Sequence, residues 1–264
     1  MSDVLAGCYV ISLRPVGQHA PLHHAAAAFG ARMLTLSPWR LQQRDDAEAR
    51  DILRAALQCE RVLFTSQAAV RAAAALQPLC QQPGQRWLAV GNGTARALAI
   101  AGVDGVRVPL RMDSEGLLQS DELRDVATRR IGLVTAPGGR DLLAPRLHAR
   151  GAEIVRADVY ARVPIPLSSR AVATLAGLDV PRWLALSSGG ALSLVLPQLP
   201  DAARERLLGA RVAASSARLV ALARSLGFAS VVEAAGPGPR ELLAAIVDDA
   251  SASMRAIAAS RPAP

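Results

Sequence analysis

Two places in the chain set adjacent hydroxyls directly after an apolar run and directly before a helix-like one. "RVLFTSQAAV" carries Thr65 and Ser66, "RWLALSSGGAL" carries Ser187 and Ser188 followed by Gly189, and Ser66 and Ser188 lie 122 residues apart. A hydroxyl at such a junction can cap the helix or donate to a ligand. The free N–H groups and positive dipole end of the helix favour an anion there. Two more junctions of this kind are "AVGNGTARAL", with Gly91, Asn92 and Thr94, and "AASSARLV", with Ser216. Arg14 in "SLRP" and Arg140 in "PGGRD", behind Gly138 and Gly139, stand in turns where a guanidinium can fork an oxyanion. Residues of these types suit recognition of an anion by neutral donors and arginines.

Other chemistries fit poorly. All thirty basic residues are arginine, so a lysine Schiff base and a P-loop lysine are excluded. Neither Ser187 nor Ser188 has the flanking glycines of GxSxG, and His148 is the last histidine, which rules out the usual α/β-hydrolase order. "GNGTAR" departs from GxGxxG at Arg96, and "VRVPL", read as the second strand, ends without a ribose-binding acid; a nucleotide-binding protein is the weaker alternative. His19, His23 and His24 lack an accompanying carboxylate, and Pro21 interrupts them, so no metal site is expected. Cys8, Cys59 and Cys80 are odd in number and widely spaced, as structural thiols of a reducing compartment are.

The formal charge of +8 suits an anionic ligand. The arginines are scattered and the aromatics few, which argues against nucleic acid. No apolar run reaches the roughly 18–20 residues of a membrane span. "LAGC" at Leu5–Cys8 resembles a lipoprotein box but has neither a basic leader nor an apolar core before it. It reads as the entry to a first strand of a cytoplasmic protein.

The elements that must position these residues repeat. "VISLRPVGQHAPLHHAAAAFGARMLTLSPWR" and "IGLVTAPGGRDLLAPRLHARGAEIVRADVYAR" each spell strand, turn, helix, glycine and strand, with Gly30 and Gly151 as matched helix stops. The same step of 121 residues takes Trp39 to Tyr160, and a step of 125 takes Gly102 to Gly227. Such alternation predicts an α/β protein of parallel sheets built from βαβ crossovers. If the chain crosses between domains at its two polar, proline-bearing linkers, one domain is 41–162. The other joins 1–40 to 165–264, with the crossing strands side by side as a hinge and a cleft between two similar domains. The tail from Ser251 is expected to fray.

In order along the chain, "VLFTSQAAV", "AVGNGTARALAIAGV", "DSEGLL", "PGGRDLLAPRLHARGAEIVRADVYARV" and "LALSSGGAL" resemble the successive segments of the uroporphyrinogen-III synthase family, over about Val10 to Pro237. The resemblance implies two α/β domains joined by a two-stranded connection. It implies a cofactor-free, monomeric cyclising hydro-lyase of porphyrin and heme biosynthesis. Its substrate would be hydroxymethylbilane, a linear tetrapyrrole with eight carboxylates, closed to uroporphyrinogen III with inversion of the terminal pyrrole and loss of water. The carboxylates would fall to Arg14, Thr65, Ser66, Gly91, Asn92, Thr94, Gly138, Gly139, Arg140, Ser187, Ser188, Gly189 and Ser216. Tyr160, which is expected to end a strand at the inter-domain connection and matches the tyrosine of the family's "VY" segment, would be the proton donor. One departure is Ser216-Ala217-Arg218-Leu219, where the family often has Gly-Pro-Thr-Thr; it keeps open the alternative of a non-catalytic tetrapyrrole- or anion-binding module.

Overall fold

The computed structural model describes residues 3–138 and 141–259. Among them are eleven strands: β1 (Tyr9–Ser12), β2 (Arg32–Thr35), β3 (Trp39–Gln43), β4 (Arg61–Phe64), β5 (Arg86–Ala89), β6 (Arg130–Thr135), β7 (Glu153–Asp158), β8 (Tyr160–Pro164), β9 (Arg182–Leu186), β10 (Arg211–Ala214) and β11 (Val231–Glu233). The central ones are short apolar runs with helices between them, the pattern of strands buried on both faces. The chain divides into two compact units, Leu41–Val163 and Met1–Arg40 with Pro164–Pro264. Both passages between them run through β3 and β8, which pair with each other. Hydrogen bonds from Ile165 N–H to Pro38 C=O and from Arg44 N–H to Val159 C=O set these two strands antiparallel.

The unit Leu41–Val163 is a four-stranded parallel sheet in the order β5-β4-β6-β7. Its helix Ala47–Leu57 starts at Asp46, whose carboxylate accepts from Ala49 N–H at 2.9 Å. The helix buries Ala49, Leu53, Ala56 and Leu57, one stripe at helical spacing. It sits so close to the sheet that a Cβ at Gly132 on β6 would lie 2.0 Å from the Ala56 carbonyl oxygen. Phe64 and Trp87 pack with ring centroids 5.3 Å apart on this face. Leu63, Leu88, Leu117 and Leu133 fill the other.

The second unit is a five-stranded parallel sheet, β11-β10-β9-β1-β2. The register makes the two sheets equivalent. Phe64 faces Ala89 on one side and Val134 on the other, while Leu186 faces Ala214, and Ala185 faces Ser12. Steps of 121, 122 and 125 residues therefore superpose β10-β9-β1-β2 on β5-β4-β6-β7. The first βαβ of each repeat joins the sheet made by the rest of the other repeat, so the duplicated halves are interleaved. Only the fifth strand differs: in place of β11 the first unit has a single parallel bridge, Leu88 to Arg107.

Three sequence expectations need correction. "VRVPL" reads as a second strand but contributes just that bridge. Tyr160 does not end a strand: β7 stops at Asp158, and Tyr160 begins β8. Of the segment expected to fray, residues 251–259 continue a 21-residue helix, Pro239–Ala259, and 260–264 lie outside the described residues. Alanine-rich sequence propagates a helix already anchored by buried Leu242, Leu243, Ile246 and Ala250.

Candidate functional site

Parallel strands end together, so the β4 and β6 termini of the unit Leu41–Val163 place Thr65 and Thr135 side by side. Thr65 Oγ1 donates to Thr135 Oγ1 at 2.8 Å. Ser66 caps the helix Gln67–Leu76, its Oγ accepting from Ala69 N–H at 3.1 Å. The same Oγ lies 3.3 Å from the Tyr160 hydroxyl. With Oγ accepting from the helix, Ser66 can still donate to the phenol oxygen, which leaves the phenol proton to be aimed elsewhere. Tyr160 is otherwise buried, with only 4% of its surface exposed.

These groups line a cavity of about 160 Å³ together with Ser114, Arg156 and Arg162. Arg156 is committed to Asp158 and Asp141. Burial works against its charge, but the hydrogen bonds and charges of those carboxylates outweigh it and hold the guanidinium above its usual value. Arg162 donates from Nη1 to the Gly138 carbonyl at 2.9 Å and has no carboxylate partner among the described residues. A larger, more open hollow of about 830 Å³ runs along helix Leu143–His148 and β7. It shares Asp141 and Arg156 but has none of the expected hydroxyls.

The neighbouring junction, after β5, is separate from this cavity. Gly91 precedes helix Asn92–Ile100 in an extended conformation, and Thr94 is buried in its first turn. A Cβ at Gly93 would meet Gln67 Nε2 at 2.5 Å, so the two helix starts approach closely. Gly138 has a φ of +73°. Gly139 and Arg140 lie outside the described residues.

In the second unit the sheet order sets Ser216, Ser187–Ser188 and Arg14 at the ends of three neighbouring strands. Unlike Ser66, the N-cap residues Ser188 and Ser216 make no side-chain capping hydrogen bond. Gly189 lets its helix start close to Leu222, whose Cδ2 would be 2.7 Å from an added Cβ. By register Arg14 takes the place that Thr135 has in the other sheet. Its Nη2 donates to the Pro237 carbonyl at 3.0 Å, and burial lowers its proton affinity. His19 fastens the turn: Nδ1 is 2.9 Å from buried Ser12 Oγ, and Nε2 is 2.7 Å from Ser37 Oγ. Burial, and then the charge of Arg14, push the imidazole below its ordinary range.

Sequence reasoning misses Thr135, Ser114 and Arg162. The first two carry no local signal. Arg162 has one, since residues two apart on a strand share a face and Tyr160 is itself a candidate.

The uroporphyrinogen-III synthase HemD family model matches residues 20–244. The chain is 36% identical to uroporphyrinogen-III synthase of Salmonella typhimurium over 149 residues, 55% of this chain and 60% of that one. It is 32% identical to that of Escherichia coli over 170 residues, 61% of this chain and 68% of that one. In fold it is similar to a crystal structure of mutant uroporphyrinogen III synthase from Thermus thermophilus, with a TM-score of 0.61 at 20% identity, covering 93% and 99% of the two chains. The Helicobacter pylori uroporphyrinogen-III synthetase structure gives 0.57 at 12% identity, covering 91% and 98%. The match over most of the sequence carries the conclusion that the chain belongs to the uroporphyrinogen-III synthase family.

Proposed function

We propose that this protein cyclises hydroxymethylbilane to uroporphyrinogen III, and that its strand-end junctions hold the substrate's carboxylates. Beyond family membership, the observation that carries the reading is the Tyr160 hydroxyl 3.3 Å from Ser66 Oγ on the wall of a polar cavity. Tyr160 donates its proton as the hydroxymethyl C–O bond breaks, releasing water and leaving an electrophilic methylene. The substituted carbon of the last pyrrole attacks it, and the spiro product breaks one C–C bond and forms another with that ring inverted. The proton lost as the ring regains aromaticity restores the phenol.

The pyrroles supply the nucleophile, so the protein's work is orientation and charge stabilisation, worth up to about 7–11 kcal/mol in favourable systems. A ~100-fold preference for the inverted closure needs a difference of about 2.7 kcal/mol between transition states. Arg162 in one unit and Arg14 in the other each lack a carboxylate partner among the described residues and suit a propionate or acetate side chain. Thr65, Ser66, Ser187, Ser188 and Ser216, with the N–H groups at Gly91, Asn92 and Gly189, supply neutral donors. The same reading makes the protein a cytoplasmic monomer without a metal or cofactor. No helix among the described residues is long and apolar enough to cross a membrane.

The test is to supply fresh hydroxymethylbilane and separate the oxidised products by chromatography. Type III product is expected; type I alone, as the unassisted closure gives, would refute the activity.

A further inference from the structure

At the opposite, N-terminal edge of each sheet the two units solve one electrostatic problem differently. In the second unit, Trp183 on β9 faces Arg211 on β10. Both are served by one carboxylate, Asp249 of helix Pro239–Ala259. Trp183 Nε1 donates to it at 2.8 Å, and Arg211 grips it through Nε and Nη2, the latter at 2.6 Å. Steps of 122 and 125 residues put Arg61 and Arg86 at the corresponding positions of the other sheet, and the register confirms that these two face each other.

There the carboxylate has no counterpart. Leu117 and Leu118 correspond to Leu242 and Leu243, but their helix ends at Gln119 and gives way to a short 3-10 turn, Asp121–Leu123. Among the described residues of this unit no helix carries an equivalent of Asp249. The carboxylates at this edge of the sheet are already engaged, Glu60 by Arg129 and Glu153 by Arg130. Arg61 has Nε and Nη1 buried without a protein partner, and Arg86 makes no ion pair among the described residues. Like charges directly opposite on neighbouring strands repel, and a buried guanidinium without an acceptor is costly.

We infer that Arg61 and Arg86 form a binding site for a small oxyanion of the carboxylate or phosphate class, which takes the place Asp249 fills in the other unit. Arg86 is exposed, and it and Nη2 of Arg61 are the groups an incoming anion meets. The site is independent of the proposed cyclisation, since it lies at the other end of the strands from Thr65 and Ser66.

The experiment titrates the full chain with inorganic phosphate and, separately, with acetate and succinate, at ionic strength held constant with chloride. Binding is read by calorimetry and by Tm. A saturable rise in Tm is expected with phosphate or with a carboxylate, and the arm that saturates first identifies the source. Arg86→Gln should weaken that binding about tenfold or more. Arg61→Met should abolish it, and Arg204→Gln, an exposed arginine elsewhere, should leave it unchanged. Absence of saturable binding in every arm, or equal binding by Arg86→Gln, would overturn the assignment.

Discussion

Tyr160 and Ser66, ninety-four residues apart in sequence, meet through their hydroxyls at 3.3 Å. One opens the strand by which the chain leaves its unit, and the other caps the helix after the central strand β4. The phenol proposed as proton donor is thereby tied to a helix N-terminus.

Removing that hydroxyl separates chemistry from binding. Tyr160→Phe is expected to lower kcat by more than about tenfold while KM changes by less than about tenfold. Steady-state kinetics of type III formation measures both, and an unchanged kcat removes Tyr160 from the proton transfer.

Arg162 should show the reverse. If Arg162 meets a substrate carboxylate as proposed, Arg162→Gln gives up a charge-assisted contact with no ion pair among the described residues to break, so KM should rise about tenfold with kcat nearly preserved. Thermal unfolding of the variant should match the parent chain. A drop in Tm of many degrees would mean that its bond to the Gly138 carbonyl is mainly structural.

The His19 imidazole makes stability depend on pH. Its affinity for a proton is lower folded than unfolded, because of burial and of Arg14. The unfolded chain therefore takes up the proton first, and stability present above the ordinary value of 6.5 is lost as pH falls below it. His19→Gln should flatten the fall of Tm between about pH 7 and pH 5. An identical slope in the variant would show that other groups govern that range.

Two glycines separate close backbone packing from a merely crowded side chain. A Cβ at Gly132 would sit 2.0 Å from the Ala56 carbonyl, so Gly132→Ala must push helix Ala47–Leu57 off its sheet, at a cost of roughly 1–3 kcal/mol or more. At Gly93 the obstacle is the end of the flexible Gln67 side chain, and Gly93→Ala should cost less than about 1 kcal/mol. Chemical denaturation of both variants checks the ranking.

Much of the fold is legible in the sequence because duplication writes it twice. The steps linking Gly30 to Gly151, Ser66 to Ser188 and Gly102 to Gly227 are the steps that superpose the two sheets. The hydroxyls at Thr65 and Ser66 are indeed at a strand-to-helix junction, yet both are partly engaged, one with Thr135 and one as a cap. Thr135 lies 70 residues from Thr65 and Tyr160 lies 94 from Ser66, and local patterns encode neither meeting. Helix Pro239–Ala259 is hard to see in the sequence because its polar outer face hides the stripe that anchors it, and Asp249 looks like one more surface acid.

Interleaving also bears on synthesis. Strand β1 is flanked in its sheet by β2 and by β9, whose residues Arg182–Leu186 leave the ribosome long after Tyr9–Ser12. At typical elongation rates that delay is on the order of ten seconds or more. Once Val163 has emerged, Leu41–Val163 has every strand it needs, whereas β1 in the amino-terminal segment still has one edge uncovered. Protease treatment of ribosome-bound chains halted after Val163 has cleared the exit tunnel, with Arg182–Leu186 still inside it, should cut ahead of Leu41 and spare the unit Leu41–Val163 itself.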